Sequence, residues 1–324
     1  MDRRLSGLSA PSRGAGLLAP GHRLPARRAA LPAPRRRVSA GAPVLRFAPS
    51  PNGRLHLGHA YSALLNADLA ERMGGICRLR IEDIDPQRSK PALIEAIVAD
   101  LAWLGLRYPE PVRRQSEHMA AYRAVRDGLI DRGLAYPCFC SRGQIRARVE
   151  SGGGTACDPD GVPLYPGTCR SLDPARVSEN LARGEPHTWR LDMAAALRCA
   201  GPDHGYIAFD ETGERWIAAD PARWGDAVIA RRDVPTSYHL SVVSDDAGEG
   251  ITHVVRGRDL EAATDLHVLL QALLGLPTPL YRHHPLLLDA TGEKLAKSRG
   301  SQSLADLRES GITPAQIRAQ LGFG

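Results

Sequence analysis

Arg46-Phe47-Ala48-Pro49-Ser50-Pro51-Asn52-Gly53-Arg54-Leu55-His56-Leu57-Gly58-His59 is the stretch on which the architecture of this chain turns. Residues 44–48 read as an extended strand, and the Pro/Gly-rich turn closes it. Ala63, Leu64, Ala67, Leu69, Ala70 and Met73 then recur at helical spacing, which predicts a helix over 57–73 ended by Gly74-Gly75. A strand, a tight turn and a helix start bring backbone N–H groups and the positive end of a helix to one place, where a polyphosphate can bind. His56 and His59 add two imidazole donors there.

Taken alone, a His-x-x-His pair at a helix start reads as a polar cap. A second word near the other end of the chain changes its weight. Lys294-Leu295-Ala296-Lys297-Ser298 follows the apolar run Pro285-Leu286-Leu287-Leu288 on a Gly-rich loop. Alone, it reads as solvated surface. Yet Lys90, Lys294 and Lys297 are the only lysines in a chain rich in arginine. Two compact, mobile ammonium groups three positions apart fit phosphate neutralisation better than a random surface choice. Together the two words point to nucleotide transfer from ATP. No Gly-x-x-x-x-Gly-Lys-Ser/Thr or Gly-x-Gly-x-x-Gly motif occurs, which argues against P-loop and dinucleotide sites.

Outward from the first word, Cys77 to Ile84 alternates as a second strand with Leu79 and Ile81 on one face. Pro91 suits a helix first turn, and Leu93, Ile94, Ile97, Val98, Leu101 and Leu104 form its apolar stripe. A further helix runs from about Ser116 to Asp131 and stops at Gly133. This β-α-β-α opening predicts half of a doubly wound α/β sheet, with ligands beyond the carboxyl ends of its strands. Residues 137–205 break the rhythm with five cysteines, Gly152-Gly153-Gly154 and several prolines, and read as an inserted subdomain. The α/β pattern returns with Tyr238-His239-Leu240-Ser241-Val242-Val243, a strand at Ile251–Val255 and a helix from about Leu260 to Leu274.

The net charge of +6 is unevenly placed. Residues 1–43 hold nine arginines against Asp2, a local +8, so the remainder carries −2. Any nucleic-acid contact by the body must come from local basic faces. The Arg/Ala/Pro/Gly/Ser composition of 1–43 cannot build a core, and a disordered basic extension is expected, with a transit peptide as the alternative. No apolar run is long enough to span a bilayer, so no membrane role and a cytoplasmic location are expected. The six cysteines, without a secretory signal, argue against a disulfide framework.

Four words in this order closely resemble the catalytic core of class I glutamyl-tRNA synthetases: residues 46–59, Arg80-Ile81-Glu82-Asp83-Ile84-Asp85, His253-Val254-Val255-Arg256-Gly257-Arg258-Asp259-Leu260, and Lys294-Leu295-Ala296-Lys297-Ser298. The resemblance covers roughly residues 44–300, with Leu57 for the usual Ile and with Leu295 and Ala296 for the usual Met and Ser. It implies a Rossmann-like catalytic core in two halves, 44–136 and 206–324, the second ending in short helices, around an inserted zinc-containing subdomain at 137–205. Few residues follow the lysine loop, which points to the short branch of the family, expected to be monomeric. That branch activates L-glutamate with ATP without tRNA, then esterifies the queuosine base at the wobble position of tRNA(Asp).

Carried over by motif, the resemblance implies roles for individual residues. His56, His59, Lys294 and Lys297 serve catalysis, with His56, His59 and Lys297 on ATP and Mg2+ accompanying the nucleotide. Arg46, Ala48, Ser50, Glu82, Tyr238 and Arg256 form the glutamate site: Arg46 reads the side-chain carboxylate and Glu82 pairs with the α-ammonium. Taken without the family, Glu82 reads equally as a solvated acidic edge beside Asp83 and Asp85, and Arg256 as a surface ion pair. Cys138-Phe139-Cys140 and Tyr165-Pro166-Gly167-Thr168-Cys169 match a structural Zn2+ site of Cys138, Cys140, Tyr165 and Cys169, with Cys157 as the alternative fourth ligand. The competing readings are a fragment charging tRNA(Glu), a small-molecule nucleotidyltransferase and a non-catalytic RNA-binding paralogue.

Overall fold

β1 (Val44–Phe47) lies at the centre of the fold, and both of its faces are covered. Leu45 packs with Leu65, Leu69, Ala70 and Val255 on one side, and Phe47 with Leu55, Ala63, Leu79 and Ile81 on the other. A strand buried on both faces reads as a continuous apolar run, and a charged residue within it must find a buried partner. The computed structural model describes residues 41–288 and 302–323. Residues 1–40 of the basic extension and the lysine loop, with Lys294 and Lys297, lie outside them.

From β1 the chain forms α1 (Leu57–Arg72), β2 (Ile76–Ile81), α2 (Pro91–Trp103), the short β3 (Arg113–Arg114) and α3 (Met119–Asp131). The expected Ser116–Asp131 helix begins with a 3-10 turn at Gln115–His118. Pro91 occupies the first turn of α2, where its missing N–H costs nothing. After α1, Gly74 takes φ 63°, the left-handed conformation that closes a helix. A Cβ on Gly75 would lie 2.1 Å from the Pro43 carbonyl oxygen, so only glycine lets the chain turn back beside β1.

β1, β2 and β3 pair in parallel. The later strands β6 (Gly205–Asp210), β7 (Gly213–Ala218), β9 (His253–Gly257) and β10 (Leu280–His284) form a second sheet in the order β7-β6-β10-β9, parallel apart from the β6–β7 hairpin. The two meet side by side: Val44 N donates to Thr252 Oγ1 at 2.8 Å, and Thr252 N to Val44 O at 2.9 Å. The resulting order is β3-β2-β1-β9-β10-β6-β7. The chain leaves β1 in one direction for β2 and returns on its other flank with β9. That is a topological switch point, and the crevice beyond its carboxyl ends is where such sheets take ligands.

Between the halves, β4 (Ala135–Cys138), β5 (Thr188–Leu191) and β8 (Val228–Ala230) form an antiparallel sheet with α4 (Arg142–Ser151), α5 (Pro174–Ala182) and α6 (Met193–Ala200) nearby in sequence. Its third strand comes from beyond residue 205, after the chain has given the β6–β7 hairpin to the main sheet. Leu191 and Ile229 of this unit share one core with Leu240 on α7 (Tyr238–Gly248) and with Leu266 and Leu269 on α8 (Ala263–Leu274). Two short helices, α9 (Leu304–Glu309) and α10 (Pro314–Gln320), close the described chain; Leu304 and Ile317 pack into the Phe47 core.

Candidate active site

The residue that ends the Pro/Gly turn also starts α1. His56 is the N-cap: its Nδ1 accepts from Gly58 N at 3.1 Å, and its own backbone N–H donates to His59 Nδ1 at 3.2 Å. This capping box satisfies helix N–H groups that otherwise have no partner. It also selects tautomers. With both Nδ1 atoms accepting, neutral His56 and His59 carry their hydrogen on Nε2. The cap reading and the phosphate reading of the pair are thus compatible, since each ring uses a different nitrogen for each task.

A cleft of about 910 Å³ opens at the switch point. Arg46, Ala48, Ser50, His56, His59, Glu82, Tyr238 and Arg256 all line it, so the structure brings together every glutamate- and ATP-site residue expected from the sequence within the described region. Gly257 lines it as well; a Cβ there would meet Asp259 Oδ1 at 2.4 Å, so a larger residue at the end of β9 would have to displace the Asp259 side chain.

The charges behind the cleft are arranged in two different ways. Arg46 Nε donates to Asp246 Oδ1 at 3.1 Å. Arg80, fully buried, donates to the same oxygen at 2.8 Å, to Glu249 Oε2 at 2.9 Å and to Glu82 Oε1 at 3.4 Å. Asp245, next in line, accepts from Arg113, Gln115 and Tyr122. Burial pushes Glu82 up from the usual carboxylate range, more strongly than Arg80 and Arg46 pull it down. Burial also acts on Asp246, but there Arg46 and Arg80 prevail and hold it low. Glu82 is therefore not a solvated edge. Asp83 is buried too, accepting from Ser116 N at 2.8 Å and Ser116 Oγ at 2.7 Å, while Asp85 accepts from Arg231 at 3.0 Å.

Arg256 is the second arrangement. It is buried, and its hydrogen-bond partners are neutral: Thr264 Oγ1 at 2.8 Å, His267 Nδ1 at 3.2 Å and Tyr238 Oη at 3.5 Å. The reading of Arg256 as a surface ion pair does not survive this geometry. Sequence reasoning missed Asp246, Arg80, Thr264 and His267. A usable signal was present: two adjacent carboxylates inside the apolar helix pattern around Val242 require buried cations somewhere.

The cysteines form a separate site. Cys138 ends β4, and the sulfurs of Cys138, Cys140 and Cys169 lie within 4.8 Å of one another. Cys140 Sγ is 3.5 Å from Cys169 Sγ and 3.7 Å from Tyr165 Oη, which accepts from Cys169 N at 2.8 Å. Arg190 stacks over the Tyr165 ring at 4.0 Å. Cys157 is exposed, with its sulfur near the Thr155 carbonyl, and does not join the cluster. Three soft donors at this spacing can hold a metal ion.

A parallel sheet with a switch-point cleft, a helix N-terminus carrying two imidazoles and buried arginines define a doubly wound nucleotide-dependent α/β enzyme. The particular family follows from comparison with known proteins. Residues 44–322 match the family described as "tRNA synthetases class I (E and Q), catalytic domain", and the chain belongs to it. It is 44% identical to the glutamyl-Q tRNA(Asp) synthetase of Rhodobacter capsulatus, over 86% of this chain and 100% of that protein. It is 41% identical to the protein of the same name from Symbiobacterium thermophilum, over 86% of this chain and 85% of that one. Among solved structures, a glutamate tRNA ligase from Elizabethkingia meningosepticum in complex with its amino acid superposes with a TM-score of 0.68 at 28% identity; the match covers 85% of this chain and 59% of that one. Among the described residues, no helix is long and apolar enough to cross a membrane.

Proposed function

We propose that this enzyme activates L-glutamate with ATP to glutamyl-adenylate and transfers glutamate to the queuosine base of tRNA(Asp). The observation that carries the reading is the buried, neutrally partnered Arg256 in the same cleft as the His56/His59 helix start. One cleft offers an anchor for a carboxylate and a seat for a polyphosphate. Full-length relatives named glutamyl-Q tRNA(Asp) synthetase support the tRNA assignment.

In the activation step an oxygen of the substrate α-carboxylate attacks the α-phosphorus of ATP, and the bond to the β,γ-phosphates breaks with its electron pair on pyrophosphate. The chain contributes positioning and charge rather than a nucleophile. His56 and His59 meet the phosphates through Nε2–H at the positive end of α1. Arg46, held by Asp246, and Arg256 face the substrate side-chain carboxylate, with Tyr238, Ala48 and Ser50 alongside, and Glu82 faces the α-ammonium. Lys294 and Lys297, outside the described residues, neutralise the leaving group, with Mg2+ travelling on the nucleotide. In the second step a hydroxyl of the modified nucleoside attacks the adenylate carbonyl carbon, AMP leaves, and the hydroxyl proton is released.

The cysteine cluster fits Zn2+. Tetrahedral Zn–S bonds of about 2.3 Å place sulfurs near 3.8 Å apart, in line with the short separations observed. Cys138, Cys140 and Cys169 with Tyr165 would hold the ion as a closed structural clasp between β4 and the loop before α5.

ATP–pyrophosphate exchange with glutamate and no tRNA tests the first step; transfer to tRNA(Asp) with and without queuosine tests the second. Exchange with glutamate and none with glutamine is expected, because a neutral amide leaves the site arginines unmatched. Equal exchange with both amino acids overturns the reading.

A further inference from the structure

Every hydrogen bond that orients Arg256 ends on a neutral group, and the chain of bonds runs one way. Arg256 Nη1 donates to His267 Nδ1, so neutral His267 carries its hydrogen on Nε2, and that nitrogen sits 3.2 Å from His239 Nδ1. Arg256 Nη2 donates to Thr264 Oγ1, which also lies within hydrogen-bond distance of His283 Nε2 at 3.1 Å. Thr264 and His267 are buried on one face of α8, three residues apart. Among the described residues no carboxylate lies within ion-pair distance of Arg256, whereas Arg46 has Asp246, and Arg80 has Glu82, Asp245, Asp246 and Glu249.

We propose that His267 and Thr264 are positioning residues for the amino-acid site: they fix the plane of the Arg256 guanidinium through neutral acceptors and so reserve its charge for the substrate carboxylate. The proposal rests on the glutamate-activation reading above. A carboxylate in place of either acceptor would hold the guanidinium equally well but satisfy its charge internally, and substrate would then have to compete for it. An apolar residue in place of either would take the acceptor from one buried guanidinium N–H and loosen the hold on its plane. Neutral acceptors avoid both outcomes.

Two matched pairs of variants separate this role from a merely structural one. Asn places its amide oxygen where His267 Nδ1 stands, and Asp has the same shape with a charge. In ATP–pyrophosphate exchange, His267→Asp should raise the KM for glutamate about ten-fold or more over His267→Asn, the scale of one hydrogen bond to a charged group. Its KM for ATP should stay within about two-fold, and its melting temperature should not fall below that of the Asn variant, since the new carboxylate pairs with Arg256. Thr264→Val should raise the glutamate KM about ten-fold over Thr264→Ser, because only the hydroxyl differs in acceptor capacity. Equal glutamate KM values within both pairs overturn the proposal, as does an equal rise in the KM for ATP. Wild-type protein that fails to exchange with glutamate at all identifies the activation reading as the error, and the proposal falls with it.

Discussion

Asp246→Asn removes one charge from the point where two arginines converge. Asp246 Oδ1 lies 3.1 Å from Arg46 Nε and 2.8 Å from Arg80 Nη1, and both guanidiniums are buried. Arg80 retains Glu249 at 2.9 Å, Glu82 at 3.4 Å and Asp245 at 3.8 Å. Arg46 retains no other ion pair among the described residues, only the more distant field of Glu82, so the loss falls chiefly on Arg46. Leaving a buried charge without its partner costs about 3–5 kcal/mol, which for a domain of this size corresponds to a melting temperature lower by roughly 10 °C. The pH dependence has a definite sign. Burial favours the neutral acid, but Arg46 and Arg80 hold Asp246 below its usual range. Its stabilisation is therefore complete above the unfolded value of about 3.9 and is lost as pH falls through the lower folded value. The gap between wild type and Asp246→Asn should be widest at neutral pH and close only in strong acid. Urea denaturation followed by circular dichroism across a pH series measures the gap, and exchange assays should show a raised KM for glutamate as Arg46 loses its anchor. A stability change under about 1 kcal/mol at neutral pH would refute the reasoning, because it would mean that the Arg46–Asp246 pair is solvated rather than buried.

Elemental analysis should find a single Zn2+ per chain that Cys169→Ser abolishes, and chelation should lower the melting temperature; Tyr165→Phe should weaken retention while Cys157→Ser should not, and the reverse order would move the fourth ligand to Cys157. Burial first and Arg256 second press His239 down to about 4 and His283 to about 3. The unfolded chain restores both to near 6.5 and binds more protons below that pH, so stability should fall from pH 6.5 towards 4 by about 1.4 kcal/mol per pH unit for each imidazole. His239→Asn should flatten the slope near pH 5 by about that amount; an unaltered slope would mean that His239 is already protonated in the fold.

Much of the site was legible because its residues sit in short words whose local structure is set by local chemistry. His56 to His59 span one helical turn, so capping and phosphate-binding geometry follow from four consecutive residues. The strands at 44–47 and 76–81 and the helix at 91–103 were likewise readable from apolar period and from Gly and Pro at their ends. The run Tyr238–Val243 was less readable. Its apolar residues suit a strand or a buried helix equally, and packing on α8 made it the first turns of α7.

By itself the sequence determined the order of the four motifs, the α/β rhythm, the family and which residue types gather at the cleft. Only the tertiary structure decided how the charges are shared. Arg46 meets Asp246 across 200 positions, and Arg80 meets Glu249 across 169. On paper Tyr165 was the expected fourth ligand with Cys157 as the alternative; in the fold Cys157 is exposed and Tyr165 packs against the thiols. Local periodicity is a property of a few consecutive residues, whereas neutralisation of a buried charge depends on which distant side chain packing delivers to within about 3 Å, where desolvation makes the choice energetically decisive. For the same reason Arg256 could be recognised in its motif, but that its hydrogen bonds end on neutral groups, with no described carboxylate within ion-pair distance, is visible only in three dimensions.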